Sequence, residues 1–299
     1  MRLVAFTFNG TPGTGLLQNE KIHGWLKTDR QFPGDPDDLL EECESEWSRK
    51  ASDLVHGRIF PLGEIRFRVP LERSRKIICV GLNYRDHTAE SGYKQPEYPT
   101  LFARFTSSLV AHKSAIIRPE ASCALDFEGE LVAVIGRGGR HITREKALAH
   151  IAGYSIFNDA TIRDFQHRTP QWTIGKNFDG TGAFGPTLVT PDELPLGAHG
   201  LSIQTRLNGE LMQSSNTEQL IFNVANLVQL ISEAITLAPG DMIVTGTPSG
   251  IGHMRAPKVY MKPGDIVEVQ IQGIGTLRNS VVEEMTPTDY EATLTGQVA

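Results

Sequence analysis

Leu125-Asp126-Phe127-Glu128-Gly129-Glu130-Leu131-Val132-Ala133-Val134-Ile135-Gly136 carries three acids early and closes as an apolar run ending in glycine. Five apolar residues in a row before a glycine read as a strand buried on both faces. If that strand extends back through Glu128, the period of two puts Glu128 and Glu130 on one face, roughly 7 Å apart along the chain. Two carboxylates at the mouth of a buried strand repel each other and lose hydration, so they either take up protons or hold a cation. All-oxygen ligands suit a hard divalent ion, Mg²⁺ first, then Mn²⁺ or Ca²⁺. The plainer alternative is a pair that lies before the sheet and stays solvated at an edge.

Working outward, Ile151-Ala152-Gly153-Tyr154-Ser155-Ile156-Phe157-Asn158-Asp159 reads as a further buried strand with an acid at its carboxyl end. Asp159 is thus a candidate third ligand beside Glu128 and Glu130, or else a cap for a helical turn over Thr161–Gln166. Arg163 and Gln166 fall on one face of that turn. Lys176, in the glycine-rich stretch 171–182, lacks the context of a phosphate loop and reads as a point charge for a small anion, or as an exposed loop lysine. Lys76–Gly81 is a buried strand ending in glycine, and a helical turn from Asn83 would place His87 and Glu90 at i and i+3. A carboxylate beside an imidazole orients the ring and raises its basicity, as a general base requires; the structural alternative is a surface pair. The loop over 92–100, with two prolines and two tyrosines, is where a lid is expected.

The remaining segments read as scaffold. Short strands are expected at Leu3–Phe8, Gly15–Leu17 and Lys21–Leu26, one helix over 36–55 with Asp35 as N-cap, and a strand at Ile65–Leu71. Leu101–Arg104 and Ile116–Ile117 are further strands. Asn208-Gly209 marks a hairpin after Leu201–Leu207, and residues 218–236 carry the widest apolar helical stripe. Pro239-Gly240-Asp241 and Pro263-Gly264-Asp265 each feed an apolar strand. Between them, Thr245-Gly246-Thr247-Pro248-Ser249-Gly250-Ile251-Gly252 is expected to offer exposed N–H and hydroxyl groups to an anion. The division read from the chain is a small module at 1–72, a catalytic domain at 73–285 and a tail at 286–299.

Composition is that of a soluble globular protein, with 21% charged and 39% hydrophobic residues among 299. A net charge of −6 offers nothing to nucleic acid or to an anionic membrane. Cys43, Cys79 and Cys123 are too sparse for a disulfide framework and fit a reducing cytoplasm. The apolar start, Met1–Phe8, is interrupted by Asn9-Gly10 and is too short for a signal peptide, and no later stretch reaches membrane-span length.

Taken in order, Gly81-Leu82-Asn83-Tyr84…His87…Glu90, Asp126-Phe127-Glu128-Gly129-Glu130-Leu131, Asn158-Asp159…Arg163-Asp164…Gln166, Gly175-Lys176-Asn177-Phe178-Asp179, Leu207-Asn208-Gly209-Glu210 and Thr245-Gly246-Thr247-Pro248-Ser249-Gly250 resemble the fumarylacetoacetate hydrolase family over about residues 74–280. The acylpyruvase and aromatic-degradation branch is the most similar in style. The resemblance implies an α+β, β-rich fold with a mixed β-roll catalytic domain, commonly a homodimer. It implies Glu128, Glu130 and Asp159 as ligands of Mg²⁺ or Mn²⁺, and His87 with Glu90 as a water-activating dyad. Lys176 would contact the oxo acid oxygens, with Gln166 and Thr247 beside them, Arg163 orienting, and Tyr84 and Phe102 as further substrate contacts. Arg104 stands where many members carry lysine, which points to a different acidic group at the substrate's far end or to no functional difference.

The implied reaction is hydrolysis of a 2,4-dioxo acid such as fumarylpyruvate or maleylpyruvate. The ion chelates the carboxylate and keto oxygens and stabilises the enolate, while His87 deprotonates a water that attacks C4. The same platform supports decarboxylation of oxaloacetate-like acids, isomerisation of hydroxymuconate-type diacids, or dehydration of 2-keto-3-deoxy sugar acids. A cation-stabilised binding protein without turnover is the reading from a different class.

Overall fold

In the computed structural model, which describes residues 1–86, 95 and 97–285, the acid-bearing segment forms strand Gly129–Ile135, buried at every position. Glu128 lies one residue before it, yet the pairing carries through: Gly129 faces Asn158, Glu130 faces Phe157, and Asp159 donates its backbone N–H to Glu128 O at 2.8 Å. Antiparallel register therefore sets Glu128 opposite Asp159 and puts Glu130 two residues along on the same face.

The period of two sorts the strand between two cores. Leu131, Ala133 and Ile135 join a cluster with Ile203, Val267, Val269 and Leu277. Val132 and Val134 join Phe157, Phe184, Leu39, Leu40 and Trp47. With apolar layers on both sides, neither face of this strand meets water, which is why its sequence reads as a continuous hydrophobic run. Glu128 and Glu130 share parity with Val132 and Val134, so the acids belong to the second layer, at its open end.

The large sheet runs, in spatial order, Arg58–Pro61, Lys21–Leu26, Thr11–Gln18, Arg2–Phe8, Gly182–Val189, Ile151–Asp159, Gly129–Ile135, Met242–Val244, Ile77–Gly81, Thr100–Arg104. Ile65–Phe67 pairs with Arg2–Phe8, and Leu109–Ala111 with Gly182–Val189. The first strand of the chain hydrogen-bonds to Gly182–Val189, so residues 1–72 and the acid-bearing strands share one sheet. A five-stranded sheet (Glu210–Asn216, Ser202–Leu207, Ile266–Ile271, Gly275–Glu283, Ile116–Arg118) supplies the other wall of the first core. Among the described residues most pairs are antiparallel, and three are parallel. The result is the mixed, strand-rich architecture expected, with few helices.

Two helices depart from the sequence reading. The single helix over 36–55 is two, Pro36–Leu40 and Glu44–Asp53; the break lets Leu39 and Leu40 from one and Trp47 and Ala51 from the other face the same core. The helix expected over 218–236 begins only at Val224, capped by Asn223 Oδ1 on the N–H of Asn226. The preceding residues are claimed by buried Asn83. Its carbonyl accepts from the Ile221 N–H, its Oδ1 accepts from the Phe222 N–H, and its Nδ2 donates to Phe222 O and Thr245 O. Backbone donors bound elsewhere cannot enter a helical ladder.

Candidate active site

Glu128, Glu130 and Asp159 are 5%, 2% and 0% exposed, and one carboxylate oxygen from each lies within 4.8 Å of the others. Burial, and then the charges of Asp159 and Glu128, push the Glu130 carboxyl well above its ordinary range. Three carboxylates in that space are tolerated only with compensating positive charge or with a proton taken up by one of them. The chain supplies part of the charge. Lys176 Nζ donates to Glu128 Oε2 and to Asp159 Oδ2, both at 2.6 Å. Burial pulls the lysine down, but Asp159 and Glu128 outweigh it and hold the ammonium above its usual range. The all-oxygen, tightly grouped and buried donor set fits a hard divalent ion.

Each acid is held from behind. Glu130 Oε2 accepts the N–H of Gly246 at 2.5 Å; Gly246 has φ +101, a conformation that favours glycine. Asp159 Oδ1 takes Arg104 Nη1 at 2.5 Å, while the same guanidinium reaches Ala160 O, Thr181 Oγ1 and Ser108 Oγ. Arg104 is 2% exposed, holds the candidate ligand Asp159 and does not line the cavity, so of its two expected readings the contact with a substrate's far end is not supported. Its partner, 55 residues on in sequence and with three strands between them in the sheet, gives no local sequence signal.

Arg163 Nη2 lies 2.7 Å from Glu128 Oε1 and 2.7 Å from Asp126 Oδ2, and its Nη1 donates to Gln166 Oε1. Asp126 was quoted in the sequence without a role. It is buried, accepts from Arg163 Nε, and its two oxygens take the backbone N–H groups of Gly252 and His253 at 2.8 and 2.9 Å. It thus ties the Thr245–Gly252 loop to the site. That loop was expected to expose donors to an anion. Instead Gly246 serves Glu130, Gly252 serves Asp126, and the Thr247 hydroxyl donates to Gly129 O while accepting from Gln213 Nε2. The donors are turned inward because buried carboxylates and carbonyls need them more than solvent does.

These groups open on a cavity of about 180 Å³. Of the expected site residues, Glu128, Glu130, Lys176, Arg163, Gln166, Thr247 and Phe102 line it. Phe102 also faces the Lys176 ammonium at 5.0 Å and meets Trp172 edge-on. Asp159 stands behind Lys176. Tyr84 does not line the cavity; it is fully buried in the first core, where burial and then the Glu130 charge raise its hydroxyl. His87 and Glu90 lie outside the described residues. Sequence reasoning missed His167 and His253 in the cavity wall; the signal for His253 was its place directly after the glycines of the Thr245–Gly252 loop.

Comparison with known proteins places this geometry. The family described as Fumarylacetoacetate (FAA) hydrolase C-terminal matches residues 76–282. Oxaloacetate tautomerase Fahd2a, mitochondrial, of Rattus norvegicus is 42% identical over 225 residues, 75% of this chain and 72% of its own. Oxaloacetate tautomerase fahd2, mitochondrial, of Xenopus laevis is 38% identical over 289 residues, 94% of this chain and 90% of its own. The solved fumarylacetoacetate hydrolase of Exiguobacterium antarcticum superposes with a TM-score of 0.82 at 35% identity, covering 95% of this chain and 100% of that one. The ordered motifs, the strand-rich fold and these matches agree, and the chain belongs to the fumarylacetoacetate hydrolase family.

Proposed function

We propose that the protein is a metal-dependent keto–enol isomerase of an oxaloacetate-like 2-oxo diacid. The observation that carries the reading is the buried trio Glu128, Glu130 and Asp159, two of whose members, Glu128 and Glu130, open with Lys176, Arg163 and Gln166 on one small cavity. The names of the similar tautomerases favour this reaction over C–C hydrolysis. A divalent ion, Mg²⁺ or Mn²⁺, held by the trio supplies Lewis acidity toward the oxygens of a 2-oxo acid.

The chain's own groups do the rest. Lys176 has two of its three hydrogens on Glu128 and Asp159, leaving the third for a substrate oxygen. Gln166 accepts from Arg163 through Oε1, so its amide N–H₂ is the end available to the cavity. Arg163 fixes Glu128 and Asp126 and acts as a positioning residue. Thr247, its hydroxyl hydrogen given to Gly129, contributes shape rather than a donor. Isomerisation moves one proton from C3 to the C2 oxygen, or back; His87, with Glu90 three residues on in sequence, is the group we assign to C3.

The second reading, hydrolysis of an acylpyruvate, is favoured by that same dyad, which suits water activation. Purified protein with Mg²⁺ is assayed for enol-to-keto conversion of oxaloacetate, and for pyruvate release from oxaloacetate, fumarylpyruvate and maleylpyruvate. Conversion without pyruvate release, lost in Glu128→Gln and His87→Ala, is the expected result. Pyruvate from the acylpyruvates, with no acceleration of oxaloacetate enolisation, would overturn it in favour of the hydrolase. We further propose a homodimer and a cytoplasmic setting. Cys43, Cys79 and Cys123 are free thiols, and among the described residues no helix is long and apolar enough to cross a membrane.

A further inference from the structure

Two histidines stand in the cavity wall with no part in holding the acidic trio. The rings of His167 and His253 lie 5.5 Å apart, centroid to centroid, inclined by 33°. His253 is fixed twice: its backbone N–H goes to Asp126 Oδ2 and its Nδ1 meets the Tyr260 hydroxyl at 2.8 Å. Its Nε2 has no hydrogen-bond partner among the described residues, nor does either nitrogen of His167. Arg163 and Lys258 are the charges that act on both rings. Burial and then the charges of Arg163 and Lys258 lower both rings, His253 to about 4. Asp126, the acid beside His253, is saturated by Arg163 and backbone donors.

Elsewhere in the cavity, each cation is already engaged: Lys176 with Glu128 and Asp159, Arg163 with Glu128 and Asp126. At the histidine pair, two imidazoles line the cavity near Arg163 and Lys258, and among the described residues no acid is bonded to either ring. We propose that His253 and His167 form a subsite for the second carboxylate of the substrate, selecting dicarboxylic over monocarboxylic acids. The inference deepens the reading of this cavity as a 2-oxo acid site and names the class: a short diacid, one end at the trio and the other at the imidazoles. A carboxylate accepts from an imidazole N–H, and a charge-assisted bond in a partly dry site is worth about tenfold or more in affinity.

The test uses binding rather than turnover. Malate and lactate share a 2-hydroxy acid end and differ in the second carboxylate. Calorimetric titration of each into Mg²⁺-saturated protein gives a preference ratio. Wild type is expected to favour malate at least about tenfold; His253→Ala brings the ratio near one with lactate affinity unchanged, and His253→Gln, which keeps a donor, restores part of it. A wild type that does not discriminate, or a ratio that survives both His253→Ala and His167→Ala, overturns the subsite. If His253→Ala weakens lactate as well, the exposed His167 decides by the same criterion. Collapse of the ratio in a protein that leaves oxaloacetate untouched would sink the isomerase reading and leave the subsite standing; an unchanged ratio in an active isomerase would do the reverse.

Discussion

Arg104, at the end of the edge strand Thr100–Arg104, donates to Asp159, Nη1 to Oδ1 at 2.5 Å, with both side chains fully buried. One oxygen of the carboxylate is thereby fixed on arginine, and the other, Oδ2, is the one Lys176 contacts. The position of the third candidate ligand is thus set in part by a residue that does not line the cavity. Removing one member of a buried pair leaves the other charge uncompensated, at a cost of about 3–5 kcal/mol, and loss of an outer support weakens a metal site by about 10–100-fold. Arg104→Met should show both, in urea denaturation and in Mg²⁺ titration. Arg104→Lys keeps the charge on Asp159 but cannot also span Ser108 and Thr181, and should fall between. Unchanged Mg²⁺ affinity in Arg104→Met would show that Asp159 is held by other means.

Lys176 makes a prediction of opposite sign for folding and for ion binding. Without its ammonium, Glu128 and Asp159 keep only Arg163 and Arg104 and confront Glu130 in a buried space with one positive charge fewer. Lys176→Met should therefore be less stable than wild type in chelator by about 3 kcal/mol. Added Mg²⁺ should raise its melting temperature by more than it raises that of wild type, because an ion that binds only the folded state adds to stability. Oxaloacetate conversion should be lost throughout. Equal Mg²⁺-induced shifts in the two proteins would contradict the charge argument.

What was legible in the sequence is what a strand's parity reports. Glu128 and Glu130 on one face and Asp159 at the end of a neighbouring buried strand could be read from alternation and run length alone. Parity names the face a side chain occupies but not who sits across from it. Arg104 and Asp159 are 55 residues apart in sequence, and Asp126 meets Gly252 across 126. The same limit explains the late start of the Val224–Ala234 helix: its apolar stripe continues upstream, but Asn83, more than a hundred residues away in sequence, takes the donors of 221 and 222. The inward turn of the Thr245–Gly252 donors was equally hidden, since nothing local shows which buried oxygens they face.

Gly246 concentrates two demands in one residue. Its φ of +101 is strained for any other side chain, and a Cβ there would stand 2.9 Å from both Asn83 Cβ and Val80 O. Its N–H also holds Glu130 Oε2. Gly246→Ala should lose about 1–3 kcal/mol of stability from backbone strain, with more if the contacts cannot relax. It should also weaken Mg²⁺ binding by displacing Glu130. Ser249→Ala, in the same loop, serves as a comparison and should retain the wild-type Mg²⁺ affinity. A Gly246→Ala protein with wild-type stability and ion affinity would mean that the loop carries neither role.

His112 predicts how stability depends on pH away from the site. Its ring is half-buried, meets Phe67 edge-on at 4.7 Å, and accepts the Arg278 N–H at Nδ1. Burial first, then the charges of Lys113 and Arg278, lower it from an ordinary 6.5 to about 4. The folded protein therefore keeps the ring neutral over a range in which the unfolded chain binds a proton. The contribution is complete above about pH 6.5 and is lost progressively as pH falls toward 4, amounting to about 2 kcal/mol by pH 5. His112→Asn keeps an acceptor for Arg278 without a titrating group, and should flatten that part of the curve while matching wild type near neutrality. His253 is held near the same value, so the wild-type slope contains both rings and the difference between the two proteins isolates His112. Urea denaturation at pH 7, 6 and 5 measures it; parallel losses in wild type and His112→Asn would show that this ring is protonated as readily in the fold as outside it.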